Sequence, residues 1–166
     1  MLDTDADRLE SMLRLNMITV TQLSALFGAR MKARGRGAVL NVGSTAGMVP
    51  SPRLAAYGAS KAYVNAFTFA FRAELAPFGV KLTCLAPGTT DSKFAQAAKI
   101  DIFSGKSSLK KMYSGKLTSA ADVARAGYEG LRKGKSLVLV GKGARMASIV
   151  SRLVPASVLP TLIKNA

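Results

Sequence analysis

The chain predicts an α/β fold, a parallel sheet with helices on its faces, and three observations carry that expectation. Short apolar runs at 38–42, 80–86 and 136–140 read as buried strands. Longer stretches with apolar residues at three- and four-residue spacing lie between them, as crossover helices must when strands run parallel. Finally, the segment from Asn41 to Lys61 gathers hydroxyls, a phenol and an ammonium around one strand end and the helix after it.

Taken in order, residues 3–34 predict one long helix or two abutting ones. Thr4 or Asp5 suits the N-cap, and Leu9, Met12, Leu13, Met17, Val20, Leu23, Leu26 and Phe27 form its apolar stripe. Asn16 sits within that stripe, where an exposed or locally bonded amide is the plain expectation. The basic run from Met31 to Gly37 closes the helix, with cations at its negative end and glycines after it. Strand 38–42 follows, then a loop with Pro50 and Pro52. A helix over 55–78 comes next, so apolar all round that burial on several sides or a subunit contact is expected.

Pro77-Phe78-Gly79 ends that helix and Val80–Ala86 forms the second strand. A hydroxyl-rich turn, Pro87 to Ser92, comes after it. Residues 93–118 show weak periodicity and read as a substrate loop or lid. A third helix over 119–133 and a strand over 136–140 follow, and 142–166 is a basic, apolar tail in which Pro155 and Pro160 interrupt helix. Three strands make a thin sheet, and the first has a long helix but no strand before it. An uncovered edge is therefore expected, as in the C-terminal portion of something larger.

With 166 residues, 49% of them hydrophobic, the whole chain 1–166 reads as one domain. It has no histidine and a single cysteine, Cys84. A Ser-His-Asp triad, a Cys/His zinc site and an internal disulfide framework are thereby excluded, and no metal site is expected. Cys84 reads as a small buried strand residue. Twenty-four Lys+Arg against nine Asp+Glu give a net charge of +15, and 93–145 alone holds 12 against 3. Those cations are scattered, with little aromatic interleaving, so no nucleic-acid partner is expected. The acidic, polar first ten residues are unlike a signal peptide, and no apolar run reaches spanning length, so a cytoplasmic location is expected. The tail, with Arg145, Arg152 and Lys164 among Ile149, Val150, Leu153, Val158, Leu159, Leu162 and Ile163, suits peripheral membrane contact.

The chemistry concentrates at Ser44, Tyr57 and Lys61. Tyr57 and Lys61 lie four residues apart and share a helix face. A phenol has a pKa of about 10, and an ammonium one turn away is expected to draw it down towards the working range. Ser44, at the mouth of the preceding strand, can offer a hydroxyl to the oxygen that Tyr57 protonates. Such a set suits proton transfer at a carbonyl or alcohol.

These residues resemble the short-chain dehydrogenase/reductase family. Tyr57-Gly-Ala-Ser-Lys61 is similar to its Y-x-x-x-K, and Ser44 stands thirteen residues before the tyrosine, the family's usual gap. Asn41 to Gly47 is similar to its N-[IV]-[SG]-S-x-A-G, Asn16 falls at the family's helical asparagine, and Pro87-Gly88 matches its P-G turn. The resemblance implies a Rossmann-type fold, here about three strands of the family's seven, and NAD(P)-dependent interconversion of a carbonyl and an alcohol. By resemblance Tyr57 is the general acid/base and Ser44 polarises the carbonyl. Lys61 lowers the tyrosine pKa and binds the nicotinamide ribose, and Asn16 holds a relay water. Pro87, Gly88, Thr90 and Ser92 sit against the nicotinamide carboxamide, although the family more often has threonine at Ser92.

A softer resemblance, in 43–52 and the tail, is to long-chain ketoacyl and hydroxysteroid reductases. It implies a lipophilic substrate, which Phe94, Ile100, Ile102, Phe103, Leu109 and Met112 would also suit if they do more than pack the lid down. A homo-oligomer through helix 55–78 is expected. The sequence has no T-G-x-x-x-G-I-G fingerprint and no N-N-A-G segment, so a truncated frame is expected, with NADP favoured over NAD although the selecting residues are not in the chain. The alternative is a non-catalytic remnant of such a reductase, acting through dimerisation or peripheral membrane contact.

Overall fold

The computed structural model describes residues 5–50, 52, 54–91 and 117–161. Three strands, β1 (Gly37–Val42), β2 (Val80–Pro87) and β5 (Leu137–Val140), form one parallel sheet in the order β1-β2-β5. Gly37 to Val42 stand opposite Val80 to Leu85, and Cys84 to Pro87 opposite Leu137 to Val140. Two further short strands, β3 (Thr90–Asp91) and β4 (Thr118–Ser119), pair in parallel beyond the end of β2.

β2 is central and buried from Leu82 to Ala86, whereas β1 buries fully only Asn41 and leaves Val42 half-exposed. The sequence's expectation of an uncovered edge is met at β1. The register also fixes where chemistry can happen. Parallel strands bring their C-terminal ends together, so Ser44 after β1 and the Pro87-Gly88 turn after β2 become neighbours.

The first helical region is α1 (Ala6–Leu13), a π-helical turn (Arg14–Thr19) and α2 (Val20–Ala33). Asp5 caps it, its carboxylate accepting from the Arg8 amide at 3.0 Å. Not all of the apolar stripe read from the sequence faces the core. Ser24 and Gly28 are the buried positions of α2, and Leu23, Leu26 and Phe27 turn outward and stay about half-exposed. The small residues win the inner face because the space there is already taken: Phe71 and Leu75 lie about 3.0 Å from where a Gly28 Cβ would be.

α3 (Ala55–Leu75) crosses behind the sheet and runs into a 3-10 turn at Ala76–Phe78. Leu75, Val80 and Leu82 form a buried cluster, with Met31, Val39 and Phe71 packed against it. Burial on several sides is only partly met, since Tyr63 and Phe69 remain exposed. Arg72 ties the helix end beneath the strands, donating to the carbonyls of Leu82 and Gly134.

On the other face lies α4 (Ala120–Arg132), capped by the Ser119 hydroxyl, which accepts from the Asp122 amide at 3.1 Å. The tail holds α5 (Ala144–Leu153), ten residues of helix that end before Pro155. Among the described residues no helix is long and apolar enough to cross a membrane, and no cluster of His, Cys, Asp and Glu could hold a metal ion. The expected lid falls almost wholly outside the described residues, with Ser92 and the apolar residues from Phe94 to Met112.

Candidate active site

Ser44 leaves β1 in an extended conformation and caps a single 3-10 turn, Thr45–Gly47, accepting from the Ala46 amide at 3.1 Å. That turn presses onto the start of α3. A Cβ on Gly47 would come within 2.4 Å of the Lys61 and Ala62 backbone, and one on Gly43 within 1.9 Å of the Asn65 side-chain oxygen. Glycine at both positions is a packing requirement, since no side chain fits between strand end and helix. Asn65 completes the clamp by donating to the Ser44 carbonyl at 3.1 Å.

The clamp brings Tyr57, in the first turn of α3, into a side-chain hydrogen bond with Ser44. The Ser44 hydroxyl also lies 3.5 Å from the Pro87 carbonyl, and that of Thr45 donates to the same carbonyl at 3.3 Å. Gly88 donates its amide to Val140 at 2.8 Å, and Thr90 donates to the Gly88 carbonyl at 3.1 Å, which holds the turn after β2 in place. Lys61 reaches back across the helix, its ammonium 3.0 Å from the Val42 carbonyl and 5.9 Å from the centre of the Tyr57 ring.

Electrostatically the site departs from the sequence's expectation. Burial pushes the Tyr57 phenol up from its ordinary value, and only the Ser44 hydrogen bond works the other way. Burial also lowers the Lys61 ammonium, against the pull of Cys84. The reason is geometric: Lys61 spends its hydrogen bond on Val42 and stands over the Tyr57 ring, so desolvation outweighs the expected attraction between phenolate and ammonium.

Asn16 lies on the π-helical turn, where the helix carries an extra residue per turn. Its amide donates to the Ser60 hydroxyl at 3.0 Å, and Ser60 donates to the Tyr57 carbonyl at 2.7 Å. Neither of the plain expectations for Asn16, exposure or a purely local bond, describes it. Ser60 is wholly buried. Deeper in, Ser24 donates to Asn41 at 3.2 Å, and Asn41 to Thr68 at 3.1 Å, so a buried polar chain links α2, β1 and α3. Among the described residues no buried side-chain nitrogen or oxygen lacks a partner.

Ser44, Tyr57 and Lys61 are therefore brought together at the strand end beside Pro87, with Gly88 and Thr90 in the turn after β2; Asn16 reaches them through Ser60, and Ser92 lies outside the described residues. Comparison with known proteins identifies the family. A family model described as short chain dehydrogenase matches residues 1–102. The chain belongs to the short-chain dehydrogenase family.

Its relatives include a protein named probable oxidoreductase EphD from Mycobacterium tuberculosis, 31% identical over 96% of this chain and 28% of that one. A very-long-chain 3-oxoacyl-CoA reductase from Anas platyrhynchos is 32% identical over 57% of this chain and 31% of its own. Among solved structures, a short-chain dehydrogenase from Burkholderia cenocepacia in complex with NADP superposes with a TM-score of 0.76 at 21% identity. It is matched over 96% of this chain and 62% of its own. A second, from Sphingobium yanoikuyae in complex with NADPH, gives 0.74 at 22% identity, over 92% and 57%. The likeness to these structures is one of fold. The chain spans under a third of the length of these two curated relatives.

Sequence reasoning missed two residues of this candidate site. Ser60 lies inside the Tyr57–Lys61 motif at a position the motif leaves open, and Asn65 follows one turn after Lys61. The available signal was polarity, since both interrupt an otherwise apolar helix.

Proposed function

We propose that this chain is the catalytic portion of an NAD(P)-dependent reductase, NADP being favoured, that interconverts a carbonyl and an alcohol on a lipophilic substrate. The observation that carries the reading is the hydrogen bond between the Tyr57 and Ser44 hydroxyls at the strand-end cleft, with Lys61 one helical turn away. Two O–H groups that converge on one point suit a single carbonyl oxygen.

In the reducing direction the substrate oxygen accepts a hydrogen bond from Ser44 and takes the phenolic proton of Tyr57, while its carbon gains a hydride. A bound nicotinamide supplies that hydride. Tyr57 is left as phenolate beside the Lys61 ammonium and is reprotonated through a water that Asn16 holds.

Tyr57, Lys61, Pro87, Gly88, Thr90 and Ser92 would hold the nicotinamide-riboside end. The fit is supported by the turn's place beside the Ser44 and Thr45 hydroxyls, which share the Pro87 carbonyl at the strand end. No glycine-rich pyrophosphate loop occurs in the sequence, so this chain's residues account for one end of the dinucleotide only. NADP is favoured because two structures of similar fold are described as complexes with NADP or NADPH. A lipophilic substrate is supported by the likeness to a very-long-chain 3-oxoacyl-CoA reductase.

The chain would associate with a second copy through the outward side of α2 and α3, where Leu23, Leu26, Phe27 and Phe69 are exposed. Its tail would make a peripheral membrane contact. A second reading is a non-catalytic remnant that acts only through such contacts.

Titration of the chain with NADPH and NADH, followed by fluorescence with circular dichroism alongside, tests the main reading. Saturable binding by a folded chain, and NADPH consumption that depends on an added long-chain ketone, are expected. A folded chain that binds neither nucleotide would overturn catalysis by this chain alone and leave the remnant reading.

A further inference from the structure

Helix α5 is amphipathic in the wrong sense for a helix that only packs on its own domain. Ala144 and Ser148 are its buried positions, with Ala147 and Ser151 partly buried beside them, so small and hydroxylic side chains face the body. The large apolar side chains face out: Met146 is 62% exposed, Ile149 51% and Leu153 77%. At about 100° per residue these three fall in one stripe roughly 60° wide. Arg145 and Arg152, seven residues apart, run along one flank of it, and Lys142 precedes the helix. No acidic residue occurs anywhere from Gly130 to the end of the sequence.

The helix is also held as a platform. The Ala147 amide donates to the Gly143 carbonyl at 2.8 Å and opens it, and Leu159, only 2% exposed, anchors the chain after Pro155. Val158, exposed, follows on. An apolar stripe with cations on its flank and no compensating acid has the composition of a helix that lies in a membrane interface.

We propose that the outward face of α5 docks on an anionic lipid bilayer, with Met146, Ile149 and Leu153 at the acyl boundary and Arg145 and Arg152 at the level of the headgroup phosphates. The proposal rests on the reading of the tail as a membrane contact and specifies its surface and lipid charge. Charge argues against a second copy as occupant of this face, because like faces would juxtapose these cations in a chain of net charge +15. Placement adds a consequence. β5 leads into α5, and the Val140 carbonyl that ends β5 accepts from the Gly88 amide. Docking would therefore set the Pro87-Gly88 turn of the site near the lipid surface, where a lipophilic substrate is dissolved.

Flotation of the full 166-residue chain with vesicles of phosphatidylcholine alone, and of phosphatidylcholine mixed with phosphatidylserine, tests the proposal. Strong partitioning only into the mixed vesicles is expected, weakened by high salt. The Arg145→Gln/Arg152→Gln double variant should lower it by about tenfold or more, and Ile149→Ser/Leu153→Ser by at least a similar factor. All four side chains are exposed, so circular dichroism should be unchanged. Partitioning that survives both double variants would overturn the α5 assignment and leave a membrane contact elsewhere in the chain. No partitioning into either vesicle would overturn the membrane reading with it. A drop in mass by light scattering caused by Ile149→Ser/Leu153→Ser would identify the face as a contact between copies and overturn the lipid assignment.

Discussion

The Asn16 amide is joined to the backbone of Tyr57 through one buried hydroxyl, that of Ser60, by hydrogen bonds of 3.0 and 2.7 Å. A residue on the π-helical turn thus helps to fix the first turn of α3, on which the phenol is carried. Ser60→Ala removes the link and leaves the Asn16 amide to find another partner. The expected cost is about 1–3 kcal/mol in urea unfolding, the usual penalty for a lost buried hydrogen bond. In a working reductase the loss should fall on kcat more than on KM, because Ser60 orients the acid and touches no substrate.

The clamp between strand end and helix gives a second prediction. Gly47→Ala places a methyl 2.4 Å from the Lys61 and Ala62 backbone, so the Ser44 turn must lift off α3. A destabilisation of about 1–3 kcal/mol is expected, as for other overpacked positions, and the Tyr57–Ser44 hydrogen bond should be lost with it. Unfolding midpoints measure the first effect. The ultraviolet titration of Tyr57, isolated by subtracting that of Tyr57→Phe, measures the second, and should move further up once Ser44 is withdrawn.

The pH dependence of stability carries two opposed contributions near Lys61. Burial pushes the Cys84 thiol up from 9.0 to about 11. A raised folded-state value means that this contribution is fully present below the unfolded value and is lost as pH rises through about 11. Lys61 is lowered, so its contribution has the opposite sign: it is present above the ordinary ammonium value and lost as pH falls through the depressed one. Cys84→Ala separates the two. Wild-type stability should fall relative to Cys84→Ala by about 3 kcal/mol across the thiol interval, read as urea midpoints on either side of it.

The buried polar chain predicts a non-additive pair. Asn41 and Thr68 share a 3.1 Å hydrogen bond between β1 and α3, and Thr68 also donates to the Val64 carbonyl. Asn41→Leu alone strands the Ser24 hydroxyl and takes from Thr68 the donor it accepts from, leaving its bond to Val64, and should cost about 1–3 kcal/mol. Adding Thr68→Val should cost less than the sum of the two single changes, and a double-mutant cycle in urea reads the difference.

Much of this arrangement was legible in the sequence because it depends on local rules. The strand runs, Asp5 as N-cap, the Ser44–Tyr57–Lys61 spacing and the Pro87-Gly88 turn are set by residue type and short spacing, and the structure brings them together. What periodicity could not give was which face of α2 turns inward. Gly28 wins that face through Phe71 and Leu75, more than forty residues away in sequence, and Ser24 through its bond to Asn41. The π-helical turn at Asn16 has no composition signal of its own. The Tyr57 ionisation was misjudged for a related reason: spacing puts Lys61 on the same helix face, but only the tertiary fold directs its ammonium to Val42 and buries the phenol.

The central claim is that Tyr57 gives up its proton to a substrate oxygen. The measurement that tests it most directly is NADPH-dependent ketone reduction by the wild-type chain and by Tyr57→Phe, with nucleotide binding and circular dichroism followed in parallel. The Tyr57→Phe variant should stay folded and bind nucleotide but lose turnover by about 10²–10⁴-fold. Equal turnover by the two proteins would contradict it.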